Sequence, residues 1–135
     1  MTKTEQKRLI FIVDDDPIYQ VIIKNILNNH GYTNVITHYS GQECLDRIDE
    51  APWFVFLDYD MEGINGLDVL KKIKHINSNI NVVMVSSREK VDIALTALNL
   101  GALDYIIKDN LLFSQINKFI AKLIFTNQEY RVPAK

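Results

Sequence analysis

The stretch Leu9-Ile10-Phe11-Ile12-Val13-Asp14-Asp15-Asp16-Pro17 decides how the rest of the chain is read. Its apolar run, rich in β-branched residues, suits a strand buried on both faces. Three aspartates then end the run. Asp16-Pro17 couples a helix-capping side chain to the residue favoured at the first helical position. A strand, an acidic turn and a helix are therefore expected in immediate succession.

Outward from this stretch the same order recurs. Further apolar runs lie at Asn34–Thr37, Trp53–Leu57, Asn81–Val85 and Asp104–Ile107. All but Asn34–Thr37 read as nearly continuous buried strands, and that weaker run belongs nearer an edge. Amphipathic segments separate them. Ile18, Ile22 and Ile26 recur every four residues before Gly31, a helix-stop signal. Ser40 and Glu43 have capping-box spacing ahead of Leu45 and Ile48. Leu67, Leu70, Ile73 and Ile76 form the expected stripe of a third helix, with Lys71, Lys72 and Lys74 on its wet side. Ala94, Leu95, Leu98 and Gly101 mark a fourth helix, and Leu112, Ile116, Phe119, Ile120 and Leu123 a fifth.

Five β-then-α units predict an α/β fold: one doubly wound domain with helices on both faces of a five-stranded parallel sheet. Right-handed crossovers leave very few topologies. In such sheets the ligand site lies beyond the carboxyl ends of the strands, where strand order reverses.

Composition removes several alternatives. The 135 residues suit one domain, and a formal net charge of −2 gives no dominant basic surface, so direct nucleic-acid binding is not expected. The single cysteine, Cys44, permits neither an internal disulfide nor a cysteine-based zinc site, and reads as a small apolar helix residue. No run is long enough to span a bilayer or to form a signal-peptide core, so a cytoplasmic setting is expected. The domain is placed at residues 8–126, with 1–7 and 127–135 as tails or linker.

The strand ends carry the chemistry. Asp14, Asp15 and Asp16 follow the first, Asp58 and Asp60 the third, Ser86, Ser87 and Arg88 the fourth, and Lys108 the fifth. Taken singly, each has an ordinary reading as a cap, a turn former or a solvated charge. Their placement at one sheet edge favours a shared site. Clustered carboxylates repel, and a hard divalent cation relieves that repulsion; magnesium suits one or two carboxylates plus a phosphate. An aspartate there can attack phosphorus, with the Lys108 ammonium flanking the transferring group and Ser86 donating to it.

These residues resemble a known family. Phe11-Ile12-Val13-Asp14-Asp15-Asp16 is similar to the acidic opening of response-regulator receiver domains. Phe56-Leu57-Asp58-Tyr59-Asp60-Met61, with Gly63 and Asn65-Gly66, resembles their phosphoacceptor segment. Met84-Val85-Ser86-Ser87 resembles their hydroxyl segment, and Gly101-Ala102 with Asp104-Tyr105-Ile106-Ile107-Lys108 their aromatic-and-lysine segment. The resemblance spans residues 8 to 125 and implies a sheet of order 2-1-3-4-5, as in chemotaxis regulators. It implies that Asp58 accepts a phosphoryl group from a histidine kinase or a histidine phosphotransfer protein. It implies Mg²⁺ held by Asp15 and Asp58, by Asp14 through water, and by the backbone carbonyl of Asp60. Lys108 would contact the phosphoryl oxygens, and Ser86 and Tyr105 would switch together. The face made by the fourth helix, fifth strand and fifth helix would then control a partner, an output domain or a homodimer.

The chain departs from the family at three places. Glu62 stands where receivers often have proline. Asp109 follows Lys108 where many have a cis proline, so a trans bond is expected here. Ser87 replaces a smaller residue. Asp60 and Arg88 occupy variable positions that tune phosphoryl lifetime, and their opposite charges suggest an ion pair across the site mouth. Two other functions compete. An aspartate-nucleophile phosphatase of the haloacid-dehalogenase type would place its paired aspartates after the first strand, whereas Asp58 and Asp60 follow the third. A receiver-like binding module without phosphorylation would have no use for the intact acidic set and Lys108. A nucleotide site is disfavoured, because acids stand where a glycine-rich loop would be needed.

Overall fold

β1 (Ile10–Val13) is buried along its whole length and ends in the acidic turn. Asp16 caps α1 (Pro17–Asn29), its Oδ1 accepting from the Ile18 amide at 2.9 Å, with Pro17 opening the helix. β2 (Val35–His38), α2 (Gly41–Asp46), a short 3₁₀ turn (Ile48–Glu50), β3 (Phe54–Asp58) and α3 (Gly66–Ile76) follow. β4 (Asn81–Ser86), α4 (Val91–Asn99), β5 (Asp104–Ile107) and α5 (Leu112–Arg131) complete the order. This computed structural model describes residues 7–87 and 91–131, with side chains as far as Leu123.

The five strands are parallel, in the order β2-β1-β3-β4-β5. Period-two alternation divides them between two cores. Ile10, Ile12, Phe54, Phe56, Val83, Val85 and Ile106 face α1 and α5. Phe11, Val13, Val55, Leu57, Val82 and Met84 face α2, α3 and α4. The fold is thus the expected doubly wound α/β sandwich. β2 lies at an edge, as its weak pattern suggested. β5 lies at the other edge, with Asp104 exposed and Tyr105 half-buried, so it is not the doubly buried strand expected from its sequence.

Three helical stripes are rotated from their expected phase. In α1 the buried residues are Gln20, Ile23, Ile26 and Leu27, while Ile18 is 66% exposed. In α3 they are Gly66, Val69, Leu70 and Ile73, and Ile76 is exposed. In α4 Ile93 and Ala97 turn inward, whereas Leu95 and Leu98 face out. A period of 3.6 admits neighbouring phases when apolar residues occur on both sides of a helix, and packing against the sheet selects among them. α5 keeps Leu112, Ile116 and Ile120 buried as expected, but continues through Arg131, past the boundary placed at Thr126.

Capping follows the sequence closely. The Glu43 amide donates to Ser40 Oγ at 3.1 Å, while Glu43 Oε1 accepts from the Tyr39 amide, one residue outside the usual capping-box partner. Cys44 is fully buried, and burial pushes its thiol up to about 12, which makes it inert packing.

The Asn65-Gly66 pair joins fold to site. Asn65 Oδ1 accepts from the Asp68 amide at 3.0 Å, and the Gly66 amide donates to the Tyr59 carbonyl at 3.0 Å. A Cβ on Gly66 would lie 2.5 Å from the Asp58 carbonyl oxygen and 2.7 Å from Tyr59 Cα. The start of α3 therefore rests directly on the chain just after β3. Gly66→Ala must displace that backbone and should cost roughly 1–3 kcal/mol in urea unfolding. An unchanged midpoint would show that the loop yields freely.

Candidate functional site

The parallel register brings four strand ends to one edge. Asp58 pairs with Val85 across β3 and β4, and Ser86 with Ile107 across β4 and β5. Asp14 directly follows Val13, whose partner on β3 is Leu57, and Lys108 directly follows Ile107. Side chains far apart in sequence are thereby placed around one point.

Lys108 lies at that point. Its Nζ is 2.7 Å from Asp14 Oδ2 and 3.2 Å from Asp58 Oδ1, and all three side chains are nearly buried. Burial alone would lower the lysine, but the hydrogen bond it donates to Asp14 and the charges of Asp58 and Asp14 prevail and raise it. Asp58 is pushed up to about 7, first by burial and next by the charge of Asp14, with Lys108 opposing. Its Oδ1 also accepts from the Asp60 amide at 3.2 Å.

Carboxylate oxygens of Asp14, Asp15 and Asp58 lie within 4.8 Å of one another, with Asp15 exposed and the other two buried. Three hard oxygen donors, one open to solvent, match the needs of a divalent cation that keeps several waters. Asp16 stands apart from this set as the cap of α1, although its amide donates to Asp14 Oδ1 at 2.9 Å.

Ser86 is fully buried at the end of β4. Asp60 Oδ2 accepts from Ser87 Oγ at 3.0 Å and from Ser86 Oγ at 3.5 Å, so the loop after β3 is tied to the end of β4. Arg88, and with it the expected Asp60–Arg88 pair, falls outside the described residues. Tyr105, opposite Met84 in the register, packs half-buried on the core shared by α2, α3 and α4. Glu62 is exposed.

Gln20, absent from the sequence reading, and Asp109, noted there only for the peptide bond that precedes it, support the site. Gln20, buried on α1, donates from Nε2 to the Asp14 carbonyl at 2.7 Å and to the His38 carbonyl at 2.9 Å. It thus fixes the acidic turn to the end of β2. Asp109 Oδ1 accepts from the Leu111 amide at 2.8 Å and from Gln115 Nε2 at 3.2 Å, which anchors the turn between Lys108 and α5. The Lys108–Asp109 bond is trans, as expected. A lone Gln inside an apolar stripe carried no signal in the sequence.

A doubly wound sheet with buried acids and a lysine at its carboxyl edge defines a receiver-type α/β protein. Residues 10–121 match the family model described as "Response regulator receiver domain". The chain belongs to that family. It is 34% identical over 121 residues to the transcriptional regulatory protein ZraR of Salmonella typhimurium, covering 89% of this chain but only 27% of that relative. It therefore spans about a quarter of that protein's length. It is 31% identical over 100 residues to the chemotaxis protein CheY of Bacillus subtilis, covering 73% of this chain and 83% of that one. Among solved structures, a CheY-like receiver domain protein from Methanospirillum hungatei superposes with a TM-score of 0.77 at 26% identity, covering 90% of this chain and 98% of that one. Receiver domains of response regulators are signalling switches that work with histidine kinases. No helix among the described residues is long and apolar enough to cross a membrane.

The raised Asp58 carboxyl has a definite consequence for stability. Between its ordinary value of 3.8 and about 7 the folded protein holds a proton that the unfolded chain releases. Stability therefore falls as pH rises through that window. In metal-free protein, wild type should lose roughly 1–3 kcal/mol relative to Asp58→Asn between about pH 5 and about pH 8. Paired urea titrations at the two pH values measure the difference. A difference independent of pH would show that Asp58 ionises here without penalty.

Proposed function

We propose that this chain is a phosphoacceptor switch in which Asp58 takes a phosphoryl group from a phosphohistidine on a histidine kinase or a histidine phosphotransfer protein. The observation that carries this reading is the Lys108 ammonium lodged between Asp14 and Asp58 at the carboxyl edge of the sheet. An ammonium beside a nucleophilic carboxylate suits charge developing on phosphoryl oxygens.

Asp14, Asp15 and Asp58 would hold Mg²⁺ together with the backbone carbonyl of Asp60. When bound, the cation neutralises the acidic cluster and the charge of the phosphoryl group. The Lys108 ammonium and the Asp60 amide both lie on Oδ1 of Asp58 and hold the carboxylate in place for attack. A bond forms between an Asp58 carboxylate oxygen and phosphorus as the P–N bond of the phosphohistidine breaks, and the imidazole nitrogen keeps the bonding electrons and then takes a proton from water. Lys108 then contacts the new phosphoryl oxygens, and Ser86 reaches them as Tyr105 shifts in step. The surface of α4, β5 and α5 is the output face, acting on a partner, on a further domain or through a homodimer. A change of that kind needs contacts that differ in energy between the two states, and the phosphoryl group supplies them. Asp60, with Arg88, would set how long the phosphate survives. The receiver unit is placed at residues 8–126.

Phosphoramidate or acetyl phosphate with Mg²⁺ tests the assignment. Intact mass should rise by one phosphoryl group in the wild type, and remain unchanged in Asp58→Asn or with a chelator present. Equal mass addition in Asp58→Asn would refute Asp58 as the acceptor.

A further inference from the structure

The first turn of α1 carries a residue that none of the motifs includes. Tyr19 is half-buried and packs on the core shared by α1 and α5. Its ring faces Lys108, whose Nζ lies 4.3 Å from the ring centroid. The ammonium thus meets two carboxylates and one aromatic face. The carboxylates compete for the lysine only while they carry unbalanced charge. A divalent cation at Asp14, Asp15 and Asp58 weakens their pull on a neighbouring ammonium and repels it directly. The ring is different: its quadrupole attracts the ammonium, and a metal held by oxygens does not compete for it. A lysine stem is long and flexible, so without a third contact the ammonium would sample many rotamers once the carboxylates are neutralised.

We propose that Tyr19 is a positioning residue for Lys108, holding the ammonium over the phosphoryl site by its ring face when the acidic cluster is loaded with metal. The inference rests on the assignment of Lys108 to the phosphoryl oxygens. It makes the first turn of α1 part of the reaction geometry and requires an aromatic face there, whatever its hydroxyl does.

The test compares Tyr19→Phe and Tyr19→Leu in the full chain, with phosphoramidate and saturating Mg²⁺. Tyr19→Leu should slow phosphorylation of Asp58 roughly three- to tenfold, and Tyr19→Phe should stay within about twofold of wild type. Thermal midpoints report whether either variant is merely unfolded. In a Lys108→Met background, Tyr19→Leu should have no further effect, because a residue acting through Lys108 loses its influence with it. Separately, the Lys108 ε-methylene protons should show an aromatic ring-current shift in the Mg²⁺-loaded protein, retained in Tyr19→Phe and lost in Tyr19→Leu. Leu as fast as wild type, Phe as slow as Leu, or an undiminished effect without Lys108 each overturns the proposal. If Asp58 proves not to be the acceptor, no variant gains mass at that residue. The ring-current measurement then still decides whether Tyr19 holds the ammonium, and an unshifted resonance rejects the contact.

Discussion

The site depends on one buried cation. Asp14 and Asp58 are each about 2% exposed, and two carboxylates so placed would repel strongly if both were ionised. The Lys108 ammonium lies between them, contributed by the last strand to acids from the first and third. Neither acid can keep its charge at low cost without this partner, and the partner arrives only if β1, β3, β4 and β5 are in correct register. A slip of one residue on β5 would turn Lys108 to the opposite face. The electrostatics of the site therefore depend on the whole sheet. A buried ion cluster of this kind is weak evidence for stability, since desolvation offsets much of the attraction. Its retention here makes better sense as a requirement of chemistry than of folding.

The surrounding residues restrain the ends of the strands more than the charges themselves. Gln20 ties the acidic turn to β2, Gly66 lets α3 begin against the Asp58 carbonyl, and Asp109 anchors the turn after Lys108. All act on backbone. Backbone restraint at the strand ends is what allows short side chains such as Asp14 and Asp58 to meet a single ammonium without further adjustment. Lys108 itself is the long, adaptable member, and its own amide is held by the Ser86 carbonyl at 2.7 Å.

These layers differ in how far the sequence reveals them. The strands were legible because runs such as Ile10–Val13 and Phe54–Leu57 have few other ways to be buried. Strand order followed from alternation of β and α together with the resemblance. That the acids, serine and lysine would gather at one edge followed from the rule that parallel sheets place ligands beyond their carboxyl ends. Helix phase was less legible, because Ile18, Leu95 and Ile76 look like core residues and the sheet chooses otherwise. Gln20 was invisible for a different reason. Its partners are backbone carbonyls, one of them on a residue eighteen positions away, and carbonyls leave no mark on a sequence. Tyr19 was hidden likewise, since its contact with Lys108 exists only after α1 and β5 are assembled.

The hydroxyls at the end of β4 indicate what a phosphoryl group must overcome. In the present arrangement Ser87 and, more distantly, Ser86 donate toward Asp60, a carboxylate on the loop after β3. A charge-assisted hydrogen bond of this type is shorter and stronger than a neutral one, which fits the 3.0 Å contact from Ser87 better than the 3.5 Å contact from Ser86. A phosphoryl group on Asp58 would offer its own anionic oxygens to the same buried Ser86. The serine can then turn from Asp60 toward the phosphoryl oxygens, and a difference in energy between such contacts is what can drive a change of state. The longer Ser86 contact is one the proposed switch needs to break, whereas the shorter Ser87 bond can persist and keep the two loops joined. Asp60 would therefore bias the resting state through Ser86 while preserving the shape of the site mouth through Ser87.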